Sequence, residues 1–451
     1  MLFREKKFYF RRTLMIISVI VCFLSCAGLM ILVLTKPTVS VKGHTFGIYW
    51  LPALCGSIFL LLSGTFTAEE TWEGLTASGD MNPLKILALF LCLTFLSVYL
   101  DELGFFRRLA AVLICRTGNS GKKLFIGMYG LVSFLTVFTS NDIVVLTFTP
   151  VICNFCREEK ISPIPYLVGE FVAANTWSLA LVIGNPTNIY LSSACGIGFC
   201  EYFSVMWLPT LAAGLTSLVV LLLLFHKQLS KLSCERPERV QVLDRGLLVI
   251  GVIHLAVCIA GLAASSWFSF PMWAVALGGA ASLWICTLIF GAVKRRFSLS
   301  GRLLGKSLKR APWELVPFVL SMFVIVLSLE KYGVTEKIAA VLGGKGELFK
   351  YGFASFLVSN VINNIPMSVL FGGVLGVSEA SLKSIYATII GSNLGACLTP
   401  VGALAGIMWT GLLKSYGVKF SFRQFIGYGA VVALPALLAA LGGVALVLCY
   451  T

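Results

Sequence analysis

The chain has 451 residues, 58% of them hydrophobic and only 12% charged, with a mean hydropathy of +0.92. A soluble domain carries about 25% charged residues, so the composition excludes a soluble enzyme and implies a polytopic membrane protein. The net charge of +15 sits in short loops between apolar runs, which is positive-inside patterning rather than a nucleic-acid surface.

Taken in chain order, the basic stretch "MLFREKKFYFRR" leads into an apolar run, 13–35, which is too long for a signal peptide and reads as a retained first span. Spans at 45–64 and 83–104 follow. Asp101 and Glu102 close the third beside Arg107 and Arg108, where an interfacial charge cluster is expected. After a short amphipathic segment, 105–122, comes an apolar stretch, 124–155, broken by "TSNDIVVLTFTP". Then come a span interrupted by polar residues, 165–192, and a last span, 203–226. A basic linker, 227–245, leads to spans at 246–264, 272–292 and 312–330. The second series closes with a segment at 331–350, an interrupted stretch at 351–376 holding "VSNVINNIPMSVLF", an interrupted span at 384–412 and a span at 424–450.

The stretches 124–155 and 351–376 are too long for one span and too short for two. Each therefore predicts a re-entrant helical hairpin, because non-helical backbone at membrane depth survives only inside protein or against a watery cavity. The order of elements repeats, dividing the chain into a first repeat, 1–226, a cytoplasmic linker, 227–245, and a second repeat, 246–451. "ANTWSLALVIGNPTNI" (174–189) aligns with "SNLGACLTPVGALAGI" (392–407), setting Asn175 on Asn393 and Gly184 on Gly402. The linker carries five Lys/Arg, 293–310 seven and 105–123 five, so these loops share the cytoplasmic side. The first hairpin then opens from inside and the second from outside. The predicted fold class is an all-α membrane protein of two inverted-topology repeats, each with a re-entrant hairpin and a discontinuous helix. One feature disagrees: three spans before residue 105 put the five Lys/Arg of the N-terminus outside, unless the segment 64–82 changes the parity.

Polar groups gather at four places that such a fold brings to mid-depth. The first tip supplies Ser140, Asn141 and Asp142, and the first interrupted span supplies Asn175, Thr176, Asn185, Thr187 and Asn188. The second tip supplies Ser359, Asn360, Asn363, Asn364 and Ser368, and the second interrupted span supplies Ser392, Asn393, Thr399 and Pro400. Broken helices free backbone groups at their ends, and Asn offers both a donor and an acceptor. This equipment suits a small polyhydroxy or oxyanion solute, although Asn and Ser also simply join helices. Asp142 at a tip, and Glu170 as a second candidate, are the acids suited to carrying a proton; Glu170 alternatively snorkels to the interface. The 14 cysteines lie mostly in apolar runs, and Cys153 and Cys156 form a lone CxxC without a second pair. His44, His226 and His254 show no metal-ligand spacing, no Walker motif is present, and no span carries the arginines of a voltage sensor. No enzyme and no cofactor are expected.

The stretches "YLDELGFFRRLAAVLICRTGNSGKKLF" (99–125), "SNDIVVLTFTPVI" (140–152), "APWELVPFVLSMFVIVLSL" (311–329), "NNIPMSVL" (363–370) and "IGSNLGACLTPVGALAGIMW" (390–409) resemble the arsenite/antimonite efflux permeases of the ArsB type. These belong to an ion-transporter superfamily that also holds citrate/dicarboxylate carriers and sodium/proton antiporters. The resemblance implies export of arsenite or antimonite driven by entering protons (H+, with Na+ as the other coupling ion), and a neutral trihydroxide fits a site of Asn, Ser and Thr. It also implies a setting in the cytoplasmic membrane, with lipid and a small inorganic or carboxylate solute as partners. A separate ATPase subunit serves some relatives, and a homodimer is compatible. Two departures stand out: "IGNPTN" (183–188) resembles a general anion-permease signature, and Asn393 occupies a position where such permeases often have Asp. The alternatives are a carrier of small anions or di/tricarboxylates, and a sodium/proton antiporter, which would want carboxylates at both tips.

Overall fold

The computed structural model describes residues 2–35, 38–41, 44–76, 82–117, 120–229, 242–268, 270–377 and 380–449. Among these it forms helices throughout, with one short antiparallel hairpin, β1 (Thr38–Val41) and β2 (His44–Gly47). The first series of helices is α1 (Leu2–Thr35), α2 (Leu51–Leu62), α3 (Ala68–Thr76), α4 (Pro83–Glu102), α5 (Phe105–Thr117), α6 (Gly121–Phe138), α7 (Asn141–Glu158), α8 (Ile164–Trp177), α9 (Pro186–Ala194) and α10 (Phe199–Leu224). The second is α11 (Arg245–Phe268), α12 (Met272–Val293), α13 (Phe297–Lys309), α14 (Leu315–Lys331), α15 (Val334–Leu342), α16 (Glu347–Ile362), α17 (Asn364–Val377), α18 (Leu382–Gly395), α19 (Leu404–Ser415) and α20 (Phe422–Val447). Each series holds ten helices.

Seven of the described helices are long and apolar enough to cross a membrane, and α14 with α15, bent by 79°, makes an eighth. Helices apolar around their whole circumference are stable only when buried or in lipid. Here the outward faces of α1, α10, α11 and α12 carry exposed Phe23, Leu223, Ile253 and Ile285. The opening helices of each series rest on the other series. α1 and α2 pack on α14, with Ser18 Oγ 2.5 Å from Ser328 Oγ, and α11 to α13 pack on α4, with Tyr99 OH 3.0 Å from Thr287 Oγ1.

Ion pairs mark the two faces of the bundle. On one face Arg310 binds Asp101 at 2.8 Å and Glu102 at 2.6 Å; on the other Lys331 binds Glu70 at 2.6 Å. Asp101 and Glu102 thus use Arg310, while Arg107 and Arg108, the expected partners, point to solvent. α14 runs from the first face to the second. α2 runs beside it: Gly47 N–H donates to Glu314 Oε1 at 3.0 Å, and Tyr332 OH donates to Thr65 O at 2.8 Å. The expected span 45–64 is therefore corrected. Residues 44–47 are strand, the helix begins at Leu51, and its 12 residues reach only about 18 Å. Met15 Sδ lies 3.3 Å from Lys337 Nζ, so α1 begins on the Lys331 face. Three crossings therefore precede residue 105. The segment 64–82 leaves the parity unchanged where it is described, since α3 stays at the Lys331 face through Glu70. The basic start of α1 lies opposite the basic loops 105–123 and 293–310. Of the expected linker, residues 230–241 fall outside the described residues. Its end is pinned by Leu243 N–H to Leu103 O at 3.0 Å and Asp244 to Arg296 at 2.6 Å.

Small residues let the inner helices touch. Gly391 of α18 lies against Ser355 Oγ and the Gly352 carbonyl of α16, where a Cβ would collide with both, whereas Gly427 on α20 faces open space. Overpacking costs about 1–3 kcal/mol, and exposed helical Gly→Ala gains up to about 1 kcal/mol. Gly391→Ala is therefore expected to lower the Tm of the detergent-solubilised protein, and Gly427→Ala to leave it unchanged or raise it, in a thermal unfolding assay run on both.

Candidate functional site

The two hairpins open to opposite faces. α7 returns to the Arg310 face, where Arg157 Nη2 donates to Tyr416 O at 2.9 Å. α16 leaves from the other face, where Ser381 Oγ donates to Glu347 Oε1 at 2.5 Å. Their tips, Thr139–Ser140 and Asn363, end inside the protein. Next to each tip a helix breaks: α8 stops at Trp177 and α9 starts at Pro186, with a 3-10 turn at Val182–Gly184 between them, while α18 stops at Gly395 and α19 starts at Leu404. Glycine permits both breaks. Gly184 packs on the backbone of Ser178, and Gly402 packs on the backbone of Ala396, the same spacing in each.

Broken helices expose carbonyls that no water reaches, and each unsatisfied group is costly there. Asparagines answer them. Asn188 Nδ2 donates to Ser178 O at 2.7 Å and Leu181 O at 3.2 Å, while Tyr202 OH covers Leu179 O at 3.0 Å. Asn360 Nδ2 donates to Gly395 O at 2.9 Å, and Asn363 Nδ2 donates to Val401 O at 2.8 Å. Asn185 caps α9, its Oδ1 accepting from Thr187 N and Oγ1, each at 3.1 Å. Asn363 is held at φ +71° and ψ 152°, a region nearly restricted to glycine. The bond to Val401 and that of Asn364 N–H to Gly402 O at 2.9 Å fix it there.

A side-chain chain joins three of the four elements. Asn141 Nδ2 donates to Asn175 Oδ1 at 3.3 Å, Ser178 Oγ donates to Asn175 O at 2.8 Å and faces Asn393 Oδ1 at 3.0 Å, and Asn393 Nδ2 donates to Asn188 Oδ1 at 2.6 Å. The second tip joins the second break through Thr399 Oγ1, which donates to Asn360 Oδ1 at 2.7 Å. Ser178, which sequence reading passed over, bridges the halves beside the Asn188–Asn393 bond; its place three residues after Asn175 was the available signal.

What remains is a set of polar atoms with no protein partner. Ser140 Oγ, Thr176 Oγ1, Asn185 Nδ2, Asn364 Oδ1 and Ser392 Oγ are buried without a hydrogen bond. Asp142, in the first turn of α7, donates its N–H to Asn141 Oδ1 at 2.9 Å, and its carboxyl accepts no hydrogen bond among the described residues. Ser359 and Ser368, by contrast, donate to their own helices. Glu170 stands apart. It is 2% exposed, so it does not snorkel; Thr149 Oγ1 lies 3.0 and 3.1 Å from its two oxygens, and Trp409 lies beside it. Five residues separate it from Asn175, about 7.5 Å along α8 toward the Arg310 face. Tyr49, not singled out by sequence, presents an unpartnered hydroxyl beside Asn363 across a cavity of about 10 Å³. Among the described residues no cluster of His, Cys, Asp and Glu has metal-binding geometry, and Cys153 and Cys156 are both buried free thiols.

A protein-family profile described as "Citrate transporter" matches residues 30–384. The arsenical pump membrane protein of Escherichia coli is 29% identical over 444 residues, covering 93% of this chain and 98% of that protein. Its namesake from Yersinia enterocolitica is 29% identical over 433 residues, covering 91% and 95%. Among solved structures, the YdaH transporter of Alcanivorax borkumensis superposes with a TM-score of 0.57 at 15% identity, covering 97% of this chain and 98% of that one. MtrF of Neisseria gonorrhoeae gives 0.53 at 14%, covering 96% and 97%. At these identities the two structures speak for the fold alone.

The direction of the hydrogen bonds around Asn393 is forced. Asn188 spends its amide hydrogens on two carbonyls, so it turns its oxygen to Asn393, which must answer with a donor, as it also does to Ile389 O at 2.9 Å. Asn393→Asp sets a carboxylate against those two acceptors. It is expected to cost about 1–3 kcal/mol, read as a lower Tm, with the deficit larger at high pH than at low pH because only the protonated acid can donate.

Proposed function

The chain belongs to the citrate transporter family and is a multi-pass membrane transporter; from that premise we propose that it performs proton-coupled efflux of arsenite and antimonite across the cytoplasmic membrane. The observation that carries this reading is the set of buried hydroxyl and amide atoms without protein partners at the two tips and two breaks. They offer hydrogen-bond donors and acceptors to a small polar solute. The four segments that supply them, 139–143, 175–189, 359–368 and 391–403, contain no Lys or Arg. A carboxylate brought to mid-depth there would find no cation, whereas a neutral trihydroxide needs none. The arsenical pumps that resemble the chain over nearly its whole length support the same solute.

In this reading the two series are inverted repeats, and the hairpins opening to opposite faces support it. Ser140, Thr176, Asn185, Asn364 and Ser392 bind the solute hydroxyls. Asn141, Asn175, Asn188, Asn360, Asn363, Asn393, Thr187 and Thr399 hold the tips and breaks in place around them. Asp142 carries the proton: a carboxyl without a hydrogen-bond partner crosses an apolar interior as the neutral acid, and its charged form competes for the groups that bind the solute. Glu170, paired with Thr149 on the Arg310 side, is a relay toward that face. Proton entry drives the cycle, so no ATPase subunit is needed for transport.

The profile description favours a second reading, a permease for citrate or another small carboxylate. One experiment separates the two. In a host lacking its own arsenite exporter, the chain is expected to raise arsenite and antimonite tolerance and lower cellular arsenic. Asp142→Asn at equal membrane abundance is expected to reduce export at least about tenfold, because an amide cannot take up and release the coupling proton. No gain in tolerance from wild-type protein that reaches the membrane, together with uptake of labelled citrate, transfers the assignment to the carboxylate reading.

A further inference from the structure

α4 brings two further buried polar groups to the first tip. Thr94 is 2% exposed and its hydroxyl has no partner; the same is true of the hydroxyl of Ser140, which is 7% exposed. Both line one cavity of about 10 Å³, walled by Phe90, Leu93, Phe138 and Ile183. Ser97 and Thr139 also border it, but their hydroxyls are bonded to Leu93 O at 3.2 Å and Leu135 O at 2.7 Å within their own helices. Two orphaned hydroxyls facing one dry apolar pocket would be a double penalty in a purely structural core. A cavity of this size holds about one water-sized group. Each hydroxyl both donates and accepts, and no charged residue lines the space.

We propose that Thr94 and Ser140 form a subsite for a single neutral hydroxyl, occupied by one water in the empty transporter and by a hydroxyl of the solute in the loaded one. The inference deepens the reading of the central site as one for a neutral polyhydroxy solute, and it adds α4 to the two tips and two breaks that line that site. One residue before Phe90, Leu89 borders a second cavity of about 450 Å³ on the Lys331 face, together with Lys85, Ile86, Gly198 and Trp273. α4 therefore borders both spaces, the larger through Lys85, Ile86 and Leu89 and the subsite through Phe90, Leu93 and Thr94.

Thr94→Val keeps the side-chain volume and removes only the hydroxyl; Thr94→Ser restores it. In vesicles bearing each protein at equal abundance, Thr94→Val is expected to raise the KM for arsenite about three- to tenfold, the loss of one neutral hydrogen bond. Thr94→Ser should stay near wild type. The Tm of Thr94→Val should not fall measurably, because the hydroxyl bonds no protein group and the lost water-mediated bond is offset by no longer burying a hydroxyl. An unchanged KM overturns the proposal, and so does a raised KM accompanied by a lowered Tm, which marks a structural role. If wild-type vesicles carry no arsenite, the functional reading fails by itself and the subsite is decided by an experimental map of the solute-free protein. One ordered water between Thr94 Oγ1 and Ser140 Oγ, lost in Thr94→Val, upholds it; a dry cavity overturns it.

Discussion

Backbone at mid-membrane depth must find its hydrogen bonds within the protein, and the rest of this structure follows from that constraint. Four chain segments stop being helical inside the helical bundle, and each free carbonyl demands a donor. Asn188, Asn360 and Asn363 supply those donors, with Tyr202 completing the first break. Glycine makes the breaks sterically possible, at Gly184 over Ser178 and at Gly402 over Ala396. The tips and breaks are therefore not loose loops. Asn363 in its unfavourable backbone conformation illustrates the point, since it persists only because its side chain and the following N–H are both tied to the opposite break.

That division of labour sorts the polar residues. Some asparagines are consumed by the scaffold, and what is left over for chemistry is a smaller set of hydroxyls, one amide nitrogen, one amide oxygen and the Asp142 carboxyl. An unpaired polar atom in a buried site is costly, so several of them at the two tips and two breaks point to a polar guest. The two acids sit in different surroundings. Asp142 lies in the first turn of α7, two residues after Ser140, whereas Glu170 is paired with Thr149 and lies beside an aromatic group in which Trp409 and Phe171 ring centroids are 5.0 Å apart. In the proposed function they take successive positions along one proton path rather than one shared site.

Much of this was legible in the chain. Interrupted apolar stretches marked the hairpins because polar runs such as "SND" and "SNVINN" have no other economical place in a membrane. Gly184 falls on Gly402 when the two stretches are set in register, and the structure supplies the reason, since at each break a Cβ would press on backbone. Long-range pairing was not legible. Arg310 is far from Asp101 and Glu102 in sequence, and only the packing of α4 against α13 and α14 brings it there, whereas nearby Arg107 and Arg108 looked equally suitable. The shortness of α2 was hidden because a β-hairpin of ordinary composition precedes it. Sequence could not tell an asparagine that serves a carbonyl from one that meets a solute, since both sit in the same apolar surroundings. Ser178, Tyr49 and Thr94 escaped notice because single hydroxyl residues are common within spans, and only burial without a partner, or a bridge between the halves, sets them apart.

The central claim is that a neutral trihydroxide bound at the tips moves against a proton bound at Asp142. Its most direct test is arsenite flux in proteoliposomes containing only the purified chain, with a pH gradient imposed across the membrane. The account predicts arsenite movement opposite to the proton flow, reversed when the gradient is reversed and lost in Asp142→Asn. Arsenite flux indifferent to the gradient, or a gradient-driven flux of citrate with none of arsenite, would contradict it.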